Sequence, residues 1–246
     1  MQLTPDFFYP LLFIVAFLYA SVGHGGASGY LALMALFAVS PEVMKPTALL
    51  LNLFVSSSSF LQFYRGKHFK WSVFWPLALA SIPMAFIGGL IHIDASVYKK
   101  LLGILLFIPI VRFLFFKNIE VEKIKPSKIP VSLFLGAVIG LFSGMIGIGG
   151  GIILSPVLLL LCWTDQKQTA AISALFIFMN SVSGLAGQLT QGVTFSPDMF
   201  TYVAIAFSGG LLGAYLGAIK FPQNILKNIL AIVLALAAYK LIFTGA

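Results

Sequence analysis

The sequence predicts an all-α protein, a polytopic transmembrane helical bundle of two inverted repeats, each a Gly-broken hairpin plus three spans. Three observations predict it. Of the 246 residues, 60% are hydrophobic and only 9% are charged, against roughly 25% charged in a soluble domain. The apolar residues gather in runs long enough to cross a bilayer, which takes about 20 residues. Two longer runs, each interrupted by a glycine cluster, stand at matching places in the two halves. A water-soluble enzyme, a disordered chain and a disulfide scaffold are thereby excluded.

Taken in order, Phe7–Ser40 comes first, about 35 residues without Asp, Glu, Lys or Arg and broken at Gly23-His24-Gly25-Gly26. One span needs only about 20 residues, so this is a broken or hairpin segment. Whether its arms cross fully or turn back part-way is open. Three ordinary spans follow, at Pro46–Tyr64, Trp71–Ile91 and Val97–Phe116. The polar stretch Lys117–Lys128 is a linker between a first repeat, 1–116, and a second, 129–246. The second opens on Ile129–Trp163, broken at Gly147-Ile148-Gly149-Gly150-Gly151, and continues through Gln168–Thr190, Met199–Gly217 and Asn224–Phe243.

The halves superpose in sequence. Gly23-x-Gly25-Gly26 falls on Gly147-x-Gly149-Gly150 at an offset of 124. Lys45-x-Thr47-Ala48 matches Lys167-x-Thr169-Ala170, Gln62…Gly66 matches Gln188…Gly192, and Gly88 matches Gly213. Repeats of this kind are common in secondary transporters.

Fifteen Lys and Arg against seven Asp and Glu give a formal charge of +8. In a membrane protein this excess belongs to cytoplasmic loops, and no nucleic-acid partner is implied. It also orients the repeats. If each Gly-rich segment returns to its starting side, eleven basic residues share one face and four the other. If each crosses once, the split is nine to six. The first arrangement agrees with the positive-inside rule. It places the linker in the cytoplasm and both termini outside, in the periplasm of a bacterial inner membrane. The N-terminus carries no positive n-region, so the first segment is expected to be retained. Cys162 is the sole cysteine. It allows no internal disulfide and no CxxC site, and is expected to be a small buried hydrophobe.

Irregular backbone within a bilayer is tolerated only against protein or a water-filled cavity. The two glycine breaks therefore point to a cavity, and each exposes helix-end N–H groups that favour an anion. Gly23, Gly25, Gly26, Gly147, Gly149, Gly150 and Gly151 are the candidate substrate-binding positions, with Ser28 just beyond the first break. Glycines that only let helices pack closely are the alternative. Asn52 and Asn180, amides in the middle of spans, are candidate cavity residues, with the hydroxyls of Ser56–Ser59, Ser173, Ser181 and Ser183 around them. Gln62 and Gln188 lie nearer the span ends. Thr47 and Thr169 are expected to cap helices.

His24 is the ionisable side chain within a break. It would let a proton bind with the anion; the alternative is a neutral histidine bonded to a carbonyl. All seven carboxylates lie at segment ends or in loops, which argues against a cation pathway. No GxSxG, HExxH or phosphate-loop motif is present, so no enzyme, no metal and no cofactor is expected.

The stretch Gly140–Pro156, GLFSGMIGIGGGIILSP, resembles the signature of the TauE/SafE sulfite exporter family, also called the 4-toluene sulfonate uptake permease family. Ala20–Leu31 is similar to that family's degenerate first copy, and the likeness extends over essentially the whole chain. His24, and Ala32 where the second copy has Pro156, depart from the usual pattern. The resemblance implies a bacterial inner-membrane secondary transporter for sulfite, an organosulfonate or a related small anion, working by alternating access. An anion channel and a carrier of a non-sulfur carboxylate are the alternatives. The direction of transport, the coupling ion (a proton among the options) and a homodimeric state stay open.

Overall fold

A chain whose solvent is lipid must satisfy its backbone internally, and helix does this within one segment. The computed structural model describes residues 7–21, 26–115, 124–193, 195, 197–217, 234–235 and 238–244. Nine α-helices are described: α1 Phe8–Ser21, α2 Ala27–Leu36, α3 Pro41–Arg65, α4 Trp71–Leu90, α5 Ala95–Phe115, α6 Ile129–Ile146, α7 Gly151–Leu160, α8 Gln166–Thr190 and α9 Pro197–Gly217. There is no strand among the described residues. Of these helices α4, α6 and α8 are each long and apolar enough to cross a membrane alone. Leu79, Ile104, Phe134 and Phe200 stand out from the bundle, each more than half exposed; lipid, not water, is the medium that suits such a surface.

The expected spans fall on helices, with shifted ends. The run Pro46–Tyr64 is the interior of α3, which starts earlier because Pro41 suits a first helical turn. The start of α8 is set by Asp165, whose carboxylate accepts the Gln168 N–H at 2.8 Å while the Gln168 side chain accepts the Asp165 N–H. Thr47 and Thr169 cap nothing. Both lie within helices and donate their hydroxyls to carbonyls four residues back, Val43 and Asp165. Cys162 is not a buried hydrophobe either: α7 ends at Leu160, and Cys162 is half-buried in the turn after it, at φ +57. The last expected span, Asn224–Phe243, lies largely outside the described residues, but Ile242 packs where α5 has Gly103.

Each glycine-broken pair returns to the side it entered. The Phe7 and Phe8 rings at the start of α1 lie 5.5 and 5.2 Å from the Phe37 ring at the end of α2. The Lys125 N–H, just before α6, donates to the Cys162 carbonyl beyond α7 at 2.7 Å.

Packing between the halves is reciprocal. On α6, Gly136, Gly140 and Gly144 press against the backbone of Leu77, Ser81 and Ala85 on α4, so the two helices run parallel. A Cβ at any of the three would collide with a carbonyl, and only glycine permits that approach. On the other side Gly209 and Gly213 of α9 press on Phe13 and Phe17 of α1, again in parallel register. Between these pairs α3 and α8 pack antiparallel, with Leu49 beside Gly184 and Asn52 beside Ser181.

Candidate functional site

The sequence places a stop in each broken run, and the stops meet. Gly150, at φ +77 and ψ −18, is the N-cap of α7. Gly26, at φ +79 and ψ −7, is the N-cap of α2. This left-handed backbone is where glycine is unstrained. Around a cavity of about 20 Å³ the two helix starts converge, α2 through Gly26, Ala27 and Ser28 and α7 through Gly151, Ile152 and Ser155. That is room for a guest little larger than water. The first N–H groups of each helix have no partner within it. The chain resumes ordinary helix bonding only at Tyr30 N–H to Gly26 carbonyl, 3.0 Å, and Leu154 N–H to Gly150 carbonyl, 3.0 Å.

Hydroxyls complete the wall: Tyr19, Ser28, Ser56, Ser59, Ser155 and Ser173. All six are buried. Tyr19 and Ser28 share a hydrogen bond of 2.7 Å, and Ser155 and Ser173 one of 2.9 Å. Ser59 and Ser155 also donate to carbonyls four residues back, Val55 and Gly151. A serine bonded this way can rotate and offer its proton to a guest. Among the described residues, no Asp, Glu, Lys or Arg lines this cavity.

Of the sequence-stated candidates, Gly26, Ser28 and Gly151 line the cavity, while Gly147, Gly149 and Gly150 shape its α7 side. Gly23, His24 and Gly25 lie outside the described residues. Asn52 is fully buried next to the cavity and not on its wall; its Nδ2 donates to Ser181 Oγ at 3.3 Å. Gly149 is held against that amide, where a Cβ would stand 2.6 Å from Nδ2. Asn180 is fully buried, off the cavity wall, with no hydrogen-bond partner for either amide atom among the described residues. Tyr19 and Ser155 were not singled out from the sequence. Ser155 sits one turn into α7, and counting a turn on from Gly151 would have found it. Tyr19 carries no such signal.

A second, larger opening of about 460 Å³ lies at the end where α3 begins and α4, α6 and α8 finish. Glu42, Lys45, His92, Gln188 and Gln191 line it among apolar residues. Gln62, the sequence match of Gln188, is exposed at the opposite end. Leu49 and Gly184, then Asn52, Ser181 and Gly149, lie between this cleft and the inner cavity.

These features define a class: a multi-pass helical membrane protein whose broken helices converge on a buried polar cavity. The family model described as sulfite exporter TauE/SafE matches residues 8–241, and the chain belongs to that family. It is 36% identical over 235 residues to a probable membrane transporter protein of Sinorhizobium fredii, covering 94% of this chain and 95% of that one. It is 28% identical over 196 residues to a probable membrane transporter protein of Methanocaldococcus jannaschii, covering 74% and 72%. No solved structure matches the chain. The protein is a membrane transporter.

Proposed function

We propose that the protein is a secondary transporter for a small sulfur oxyanion, sulfite or an organosulfonate, bound between the starts of α2 and α7 and moved by alternating access. The observation that carries this reading is the convergence of two helix N-termini, one from each half, on a single hydroxyl-lined cavity. Each helix start presents about +0.5 of a charge, so two of them balance roughly one negative charge without a Lys or Arg. A site built this way holds an anion and lets it go. A buried lysine would hold it against release.

Alternating access is supported by the reciprocal packing. Inverted repeats would pair α1 with α9 as they pair α6 with α4, and would send the two glycine-broken pairs in from opposite sides. Both conditions agree with the contacts above. At about 20 Å³ the cavity is too small for sulfite, so the site must widen to take it, as a carrier closed between openings would. Arg65, Lys67, Lys70, Lys125, Lys128 and Lys167 gather at the end where α4, α6 and α8 begin, which supports a cytoplasmic place for that end. The cleft then faces the periplasm.

The test is labelled sulfite uptake into proteoliposomes by Ser56→Ala and Ser173→Ala proteins. Hydrogen bonds to a charged group contribute about 1.5–3 kcal/mol, so each change is expected to raise the half-saturating concentration about tenfold or more. Wild-type half-saturation in both variants would contradict the site.

A further inference from the structure

We propose that the cleft at the start of α3 is a second oxyanion site, in which Lys45 captures a singly protonated oxyanion before it reaches the inner cavity. The proposal rests on the anion-carrier reading, and three observations carry it.

The first is that Lys45, although it feels the charge of Glu42 three residues earlier, makes no direct ion pair among the described residues. Glu42 and His92 line the same cleft. Its Nζ lies 4.8 Å from the centroid of the Tyr98 ring. An ammonium over an aromatic face is held more weakly than one donating charge-assisted hydrogen bonds to an oxyanion. An anion in the cleft therefore draws it off the ring.

The second is Gln188, which lines the cleft and is 5% exposed. Its Nε2 donates to the Gly144 carbonyl at 3.4 Å, and its buried Oε1 has no partner among the described residues. That carbonyl needs a donor, which fixes the amide with Oε1 as the free end. A buried acceptor without a donor costs free energy. The cleft thus holds a cationic donor in Lys45 and acceptors in Gln188 and Glu42. Their complement is an anion that has both bare oxygens and one O–H.

The third is the route inward. The Tyr98 hydroxyl donates to the Ile146 carbonyl at 3.0 Å, at the last residue of α6. Gly147, next in the chain, lies so close to Lys45 that a Cβ there would stand 3.0 Å from the Lys45 carbonyl. Lys45 and Tyr98 therefore both touch the end of the broken helix. Capture of the anion by Lys45 removes one contact that holds Tyr98, and Tyr98 holds α6.

The experiment uses the full chain in proteoliposomes, with Cys162→Ser and Gln191→Cys to place one thiol in the cleft. The rate of its alkylation by iodoacetamide is measured against methylphosphonate, which keeps an O–H at neutral pH, and methanesulfonate, which has none. Methylphosphonate is expected to slow alkylation at a concentration several-fold below that needed with methanesulfonate. Lys45→Gln should raise the protecting concentration at least tenfold for both, and Lys45→Arg should restore much of it. Equal protection in the wild-type and Lys45→Gln backgrounds, or none in either, would overturn the proposal. Because protection is read without transport, sulfite flux with an unprotected thiol rejects the cleft site alone. A protected thiol with no flux of any anion rejects the carrier reading instead.

Discussion

Asn52 and Ser181 join the two halves of the chain through one side-chain hydrogen bond of 3.3 Å, in the layer between the cleft and the inner cavity. Such bonds inside membranes average only about 0.6 kcal/mol, because the unfolded segments also find partners in lipid. Asn52→Ala is therefore expected to cost about 0.6 kcal/mol in a reversible detergent denaturation. A loss of several kcal/mol would mean that the amide is a structural clamp. At this scale the sequence was readable where polarity is rare. An amide in an apolar span announces itself, as Asn52 and Asn180 do, but neither lines the cavity expected of them. It was less readable for hydroxyls. Serines occur throughout the chain, and only the fold shows that Ser28, Ser56, Ser59, Ser155 and Ser173 face one space. Cys162 was misjudged for a local reason. The apolar run continues past Leu160, but the helix does not, and the turn brings the thiol outward.

At the scale of the element, the glycines have two uses that spacing alone separates. Those in the breaks adopt positive φ, as at Gly147, Gly149 and Gly150. Those four apart on α6 lie against α4. Gly144 is the tightest of the second group, facing the Ala85 carbonyl and the Gly89 N–H. Gly144→Leu must push α4 and α6 apart, and overpacking of this kind costs about 1–3 kcal/mol. The expected outcome is a lower midpoint in a thermal scan of the purified protein; an unchanged midpoint would show that α4 is free to shift. The breaks themselves were legible, because an apolar run too long for one span and split by glycines can only be two helices. The helix ends were less so. Asp165 caps α8 where Thr169 had been favoured, since both residue types suit a cap and only geometry chooses between them.

Across the whole molecule, the repeat read from matched motifs predicts something stronger than likeness of the halves. Equivalent helices should pair alike, so that α1 on α9 goes with α6 on α4, and the contacts agree with this. No single residue carries this information, so it had to come from the contacts. Membership of the sulfite exporter TauE/SafE family was legible in the glycine signature at Gly140–Pro156. The substrate was not, because the cavity is walled by helix starts and hydroxyls, and these leave little trace in a sequence. The most direct test of the central claim is counterflow. Proteoliposomes loaded with unlabelled sulfite are placed in trace labelled sulfite. A carrier with one alternating site should accumulate label transiently above equilibrium, with competition from external methanesulfonate. Label that only equilibrates, at a rate that does not saturate, would contradict the account.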